Sequence, residues 1–465
     1  MRGSRAVTQV RTALRAAGFS ESLLHSFTPS ALTAFDAGAP HDLRQECAAS
    51  NHPAASLVAV LYAGATIETT SAATDFPWTA AADIGLVHLR DGRIHPRLRL
   101  TPVSPPPLTS DGFVVSDHLP PGPLPDDHVM APGGSSRTLA RLTPRQPIDR
   151  ALDLGCGSGY QTLLLAQHAA HVVATDTNPR ACAATALTLA LSAAPPAQVR
   201  QTSLFDGITG DFDLIVSSPP FVMAPSREHT YRDSPFPADG LLPALLTGGA
   251  ARLRPGGWAV LLGSWLHVQA QDWPQRVQPW LADLPDTTAW LAERERLPVP
   301  DYVDLWLRDA HRADDHAQRT AWLAYLEDLG AAAVGVGWVA LHRTHADRPS
   351  PPVPSWCEDV STAAAVPSGA DVQAEFAQRR SVPNAAAILH GRPRLNPAAP
   401  TWRGPIGVPS ALHWWLAHSD DYLTMSDALS DCASALSEDH ADVLVAWLTG
   451  VCELCEKGFV TLEPH

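Results

Sequence analysis

An α/β domain built on a mostly parallel, Rossmann-like sheet is predicted for residues 126–345, and three observations carry the prediction. First, Ala151-Leu-Asp-Leu-Gly-Cys-Gly-Ser-Gly-Tyr160 places an aspartate and three alternating glycines where a short apolar strand must turn into a helix. Gly155, Gly157 and Gly159 lack a Cβ, so the backbone there can take strained torsions and approach a ligand closely, and Asp153 ends the strand beside the same crevice. Second, His171-Val-Val-Ala-Thr-Asp176 is an apolar strand ending in a carboxylate. It lies roughly twenty residues beyond the glycines, where an acid accepts ribose hydroxyls. Third, Phe212-Asp-Leu-Ile-Val-Ser217 is another apolar run, closed by Ser218-Pro219-Pro220-Phe221.

The remaining elements follow in order. A helical run over 161–167 carries Leu163, Leu164 and Leu165, and Asn178-Pro179 opens the next helix, as proline does in a first turn. Residues 198–202 form a strand that leads into Ser203-Leu-Phe-Asp206. Leu253-Arg-Pro-Gly-Gly257 is a turn before the fifth strand, Trp258-Ala-Val-Leu-Leu-Gly263. A sixth strand is expected over 287–291, helices over 302–310 and 318–329, and an antiparallel seventh strand over 332–341. The glycine spacing is G-x-G-x-G and not the G-x-G-x-x-G of dinucleotide sites.

That spacing, with an aspartate two residues upstream, resembles the first motif of class I S-adenosylmethionine (AdoMet) methyltransferases. Ser218-Pro-Pro-Phe221 resembles the [Asn/Asp/Ser]-Pro-Pro-[Tyr/Phe/Trp] motif of members that methylate planar nitrogens: glutamine amides, exocyclic amines of adenine or cytosine, and guanine N2. The physics suits that chemistry. Two prolines fix the backbone so that a polar side chain and a main-chain carbonyl can accept from a flat NH2 group while the aromatic ring stacks on it. The resemblance implies a seven-stranded methyltransferase sheet. It also implies AdoMet as cofactor, held by Asp153, Gly155, Gly157, Gly159 and Asp176, with Asp206 beside the adenine. Ser218, Pro219 and Phe221 would hold the methyl acceptor, with Pro220, Tyr231 and Arg232 as further substrate contacts.

Upstream, Asp127-His-Val-Met-Ala-Pro-Gly-Gly-Ser-Ser-Arg-Thr-Leu139 stands where such enzymes lay a segment over the methionine end of AdoMet. Ser135, Ser136, Arg137 and Thr138 are candidates for the cofactor carboxylate, and the serines equally fit a plain helix cap. The wider chain is similar to bacterial cytoplasmic methyltransferases with a helical N-terminal domain before a sheet like that of release-factor glutamine methyltransferases. Ser136-Arg-Thr-Leu-Ala-Arg-Leu-Thr143, Ser203-Leu-Phe, Tyr231-Arg-Asp and Gly337-Trp338 carry that likeness. One position departs from it. Those relatives usually have asparagine where this chain has Ser218, whereas cytosine-N4 methyltransferases use serine there.

At 465 residues the chain is too long for one such domain. Residues 1–125 read as a small, mostly α domain and connector, 126–345 as the methyltransferase domain, and 346–465 as a proline-rich linker followed by a helical region open to a winged-helix-like arrangement. Helices are expected there over 412–416, 425–436 and 441–457, then a short strand over 458–462. The basic stretch 90–99 reads as a solvated hairpin. No apolar run reaches the roughly 18 residues of a membrane span, no export signal is evident, and seven scattered cysteines fit a reducing cytoplasm. Cys452-Glu-Leu-Cys455 lacks a second half, so no metal is expected.

Net charge is −15 and Lys457 is the only lysine. Nucleic-acid binding draws most of its affinity from Lys and Arg neutralising phosphates, so the balance favours a protein acceptor over a nucleic acid. The expected activity is therefore AdoMet-dependent N-methylation of a planar amide or amine, in a protein first and a nucleic acid second. A methyltransferase-fold interaction module that has lost catalysis is the third reading.

Overall fold

The computed structural model describes residues 2–463 except 37, 73, 74, 106, 107, 109, 110, 121, 123, 227–231, 345–353, 381–384, 405, 406, 409, 420 and 423. The strands of the central sheet are β1 (Ile148–Leu154), β2 (Ala169–Asp176), β3 (Gln198–Gln201), β4 (Phe212–Ser217), β5 (Leu253–Val268), β6 (Thr287–Pro298), β7 (Ala331–Arg343) and β8 (Trp356–Asp359). They lie in the order β8-β6-β7-β5-β4-β1-β2-β3. β1 to β5 run parallel, and β7 enters antiparallel between β5 and β6, in register from Trp258↔His342 to Val268↔Ala331. The order reverses between β1 and β4. A crevice for ligands opens at such a reversal, outside the carboxyl ends of the strands.

Period-two alternation sends successive residues of these strands into two separate cores. Leu214 and Val216 face one layer with Leu163, Leu164 and Trp338, while Ile215 and Leu152 face the other with Leu245 and Leu246. Helices cover both faces, as a parallel sheet requires. The helices that matter below are α1 (Gly134–Leu142), α2 (Tyr160–Leu165), α3 (Pro179–Ser192), α4 (Leu241–Ala250), α5 (Val299–Asp309) and α6 (Gly369–Arg380).

The sheet has eight strands where seven are expected. β8 adds in parallel to the β6 edge, and its Trp356 stacks on Trp290 with ring centroids 5.9 Å apart. A strand from beyond residue 345 thus completes the catalytic sheet, and α6 packs Phe376 edge-on against Trp258 of β5. The Arg348–Pro354 stretch lies largely outside the described residues. Further on, Ser410–His418, Met425–Leu436 and His440–Glu456 form a helical cluster with its own core around Trp415 and Trp447. Arg392–Leu395 and Val460–Glu463 pair antiparallel beside it. Cys452 and Cys455 sit one turn apart and half-buried on the last of these helices.

The N-terminal segment is helical as expected but also contains strands. Val87–Arg90 and Arg93–Pro96 form the basic hairpin, turned by Asp91-Gly92 with φ of 52° and 72°. Two consecutive positive values are what a two-residue hairpin turn with the strands' own twist needs. A buried ribbon, Arg99–Val103 with Gly112–Ser116, then lies on α3. There Thr188 accepts from the Val115 amide (2.9 Å) and donates to the Ser158 carbonyl in the glycine turn (2.7 Å), and Ser192 accepts from the Phe113 amide (2.8 Å). Val10, Leu14, Phe19 and Leu61 share one core with Ala181, Ala184 and Leu191 of α3, so the N-terminal segment is built onto the sheet's own helix. Thr188→Val leaves a buried amide and a buried carbonyl unpaired. It is expected to destabilise the fold by about 1–3 kcal/mol in a urea titration, and a change within error would remove this link from the account.

Candidate active site

The glycine turn follows directly from β1. Gly155, Gly157 and Gly159 have φ of 73°, 51° and 81°, values that side chains rarely tolerate. A Cβ on Gly159 would lie 2.8 Å from the Thr185 Cα, so this glycine lets α2 and α3 pack closely. A Cβ on Gly155 or Gly157 would meet nothing within 4 Å. These two glycines therefore floor an open space at the carboxyl edge of the sheet.

Asp176 closes one side of that space. Its Oδ2 accepts from the Gly157 amide (2.9 Å) and its Oδ1 from the Asn178 amide (2.9 Å), and burial raises its pKa against both hydrogen bonds. Each oxygen keeps a second lone pair for a hydroxyl donor. Asp206 lies in the exposed turn after β3, where the Thr202 hydroxyl donates to its carbonyl (2.8 Å). The Thr202 amide in turn donates to the Asp176 carbonyl (3.0 Å), which sets that turn beside the end of β2.

Asp153 takes a different position from the one its place in the motif suggests. It is 1% exposed, and its Oδ2 accepts from the Thr162 hydroxyl of α2 at 2.5 Å. Burial pushes the carboxyl up to about 7, although the Thr162 hydrogen bond acts in the opposite sense. The group lies under the turn and braces α2 against β1. The Gln161-Thr162 pair that supports it escaped the sequence reading; two buried polar residues opening an otherwise leucine-rich helix were the available signal.

The methionine-side segment is held from below. α1 is preceded by Gly133, which makes no side-chain cap, so Ser135 and Ser136 lie in the first turn of the helix and are not its cap. Gln161 donates to the Ser136 carbonyl (2.7 Å), tying α1 to α2, and Thr138 is half-buried on the same helix. Just upstream, Arg180 of α3 clasps Asp117 (2.5 Å) and Asp127 (3.0 Å), and Asn178 donates to the Asp127 carbonyl (2.8 Å). These contacts fix residues 117–129 across the start of α3, next to Asp176.

On the other side of the crevice stands Ser218, at the end of β4. Its hydroxyl is half-exposed and has no hydrogen bond among the described residues, while Pro219 is buried. Phe221 is half-buried, edge-on to Trp306 of α5 at 6.3 Å, and its carbonyl accepts from Ser264 of β5 (2.7 Å). Tyr302 of α5 accepts from the Met223 amide (2.8 Å). Arg232 is not available to an acceptor. It is 5% exposed, pairs with Asp233 (3.0 Å) and donates to the Trp306 carbonyl (2.7 Å), so its charge is spent in fastening the loop to α5. Tyr231 lies outside the described residues, with most of the 227–233 loop.

Residues 133–260 match the family model of the Methyltransferase small domain. The chain thus carries a methyltransferase domain, whose cofactor is AdoMet. The open floor over Gly155 and Gly157 and the acid at its rim fit that cofactor. Among curated relatives, the release factor glutamine methyltransferase of Xylella fastidiosa is 35% identical over 129 residues, covering 25% of this chain and 47% of its own. That of Cereibacter sphaeroides is 36% identical over 147 residues, covering 29% and 53%. The ribosomal RNA small subunit methyltransferase C of Chromohalobacter salexigens is 34% identical over 115 residues, covering 25% and 31%. The chain therefore spans about half or less of the relatives it matches. Among the described residues, no helix is long and apolar enough to cross a membrane and no cluster of three metal-ligating side chains occurs.

Two outcomes follow from the two aspartates. Asp176→Ala is expected to weaken AdoMet binding by about 1.5–3 kcal/mol in calorimetry, the usual cost of losing hydrogen bonds to a charged group; unchanged affinity would remove Asp176 from the site. For Asp153, the folded protein keeps a proton between pH 3.8 and about 7 that the unfolded chain has released, so this group's contribution to stability falls as pH rises through that window. Asp153→Asn should flatten the dependence and be more stable than wild type above it. Parallel pH profiles for the two proteins would show that the carboxyl ionises normally.

Proposed function

We propose that this protein transfers the methyl group of AdoMet to a planar nitrogen, with a glutamine-type side-chain amide of a protein as acceptor. One observation carries the reading. Ser218 presents an unpartnered hydroxyl at the end of β4, next to the glycine floor in the sheet order, with Phe221 behind it. The cofactor supplies the electrophilic methyl. The chain's own residues orient the nucleophile, with the Ser218 oxygen accepting one amide hydrogen and the Phe221 ring stacking on the amide plane. Holding nitrogen and methyl in line is the main source of rate in such a transfer.

The protein acceptor is favoured by the net charge of −15 and by the release factor enzymes among the relatives. A second reading, methylation of a nucleic-acid amine, draws on the ribosomal RNA enzyme matched over 115 residues and on the serine at position 218. Incubation with radiolabelled AdoMet and cell extract, followed by separate protease and nuclease digestion, distinguishes them. Label released by protease alone supports the first reading, label released by nuclease alone the second, and no label at all a domain without catalysis.

Ser218→Ala is expected to leave AdoMet affinity intact and to raise the barrier to turnover by about 1–3 kcal/mol, and Phe221→Ala to act likewise through lost stacking. Turnover that ignores both changes in an active enzyme would refute this acceptor site.

A further inference from the structure

A cavity of about 1010 Å3 opens between the N-terminal helices, the buried ribbon, α1 and the start of α6. Gly155, Gly157, Asp176 and the Ser218–Phe221 segment take no part in its lining. Its walls are apolar on one side, with Leu24, Leu32, Tyr62 and Val103, and cationic on the other, with Arg137, Arg141 and Arg145. The one acid in the lining, Glu21, is already engaged, accepting from the amide and the hydroxyl of Ser104 (2.8 and 2.6 Å).

Arg145 is the unusual member. Its Nη2 donates to the Ala140 carbonyl at the end of α1 (2.7 Å), whereas its Nη1 is withdrawn from solvent and has no partner. Among the described residues no carboxylate pairs with it, and the Thr101 hydroxyl in the same lining is also buried without a partner. Burial brings the guanidinium down to about 10. A folded chain rarely keeps an arginine in this state, because a buried charge is costly unless an anion answers it. The planar fork suits carboxylate and phosphate oxygens, and the volume is that of a small-molecule site.

We infer that this cavity is a second binding site, separate from the cofactor crevice, for a small organic anion that carries a phosphate or a carboxylate on an apolar body. Arg145 anchors the anionic group, with Arg141 and Arg137 beside it, and the body lies against Leu32 and Tyr62. The inference does not depend on which acceptor is methylated. Arg137 neighbours Thr138, which was considered for the AdoMet carboxylate, so the rival account is that the cavity is only an extension of the cofactor's own site.

Calorimetric titration of the full chain with phenyl phosphate and with benzoate, each with and without saturating AdoMet, separates these accounts and the two anion types. At least one probe is expected to bind, with affinity unaltered by AdoMet. Arg145→Met should weaken that binding about tenfold or more, as loss of a charge-assisted hydrogen bond does, while leaving AdoMet affinity unchanged. It should also raise the melting temperature of the free protein, because an unanswered buried charge has gone. Leu32→Trp, which fills the apolar side, should abolish probe binding independently of Arg145. The inference is overturned if neither probe binds, if binding survives both substitutions, or if AdoMet competes with the probe.

Discussion

The hydrogen bond from the Gly157 amide to Asp176 (2.9 Å) joins two structures that the site needs together. The glycine turn exists because β1 must reverse into α2 in very few residues, and its backbone is held by amides of Gly155 and Cys156 donating to the Thr175 carbonyl (2.8 and 2.9 Å). Those bonds run to the last residues of β2, so the turn and the acidic rim form a single unit. A positive-φ turn left to itself has many alternative conformations. Tied at three points to a neighbouring strand, it presents one floor, and the space above Gly155 and Gly157 is open because nothing larger than hydrogen projects from them.

The unit is braced from outside as well as from the sheet. Thr188 carries a continuous path from the buried N-terminal ribbon through α3 to the Ser158 carbonyl within the turn itself. Arg180, on the same helix, holds Asp117 and Asp127 over the start of α3. The N-terminal segment thereby acts as the outer wall of the crevice and not as an appendage, and its core is shared with α3. On the far side, α5 performs the matching task through Tyr302, Trp306 and Arg232, which grip the chain on either side of the acceptor loop. Both walls are secured by residues far away in sequence.

That distance explains what could be read from the sequence and what could not. The strands β1, β2, β4, β5 and β7 are apolar runs bounded by glycine, proline or charge, so their existence and order were legible, as were the turn and the Ser-Pro-Pro-Phe segment. β6 extends to Pro298, well past the expected 291, because its second half is polar and gains its strand conformation from pairing with β7. β8 is four residues, Trp-Cys-Glu-Asp, with no alternation to announce it; it exists through pairing with β6 and the stacking of Trp356 on Trp290. The same limit applied to individual side chains. Arg232 sits in a polar loop beside the acceptor motif and was a reasonable substrate contact by position, yet its direction is set by α5, more than seventy residues away in the chain. Asp153 was legible as important, but whether it faced the crevice or the helix depended on Thr162.

Serine in place of asparagine at 218 shortens the arm that offers an acceptor oxygen, so the substrate nitrogen must come closer to the end of β4. Both candidate substrates can meet that demand, the amide on a flexible glutamine arm and the base amine by sliding flat under Phe221, so reach alone does not choose between them. The long-range field does. A polyanion must approach a chain of net charge −15 that has a single lysine, and screening confines that repulsion to about 8–10 Å at physiological salt without abolishing it at the crevice mouth. The three arginines that face a common space do not relieve it. They line the cavity bounded by α1, the N-terminal helices and α6, whose walls exclude Ser218 and Asp176. Positive charge in this molecule is gathered at a small enclosed anion and away from an extended one, which weighs toward a protein acceptor at β4.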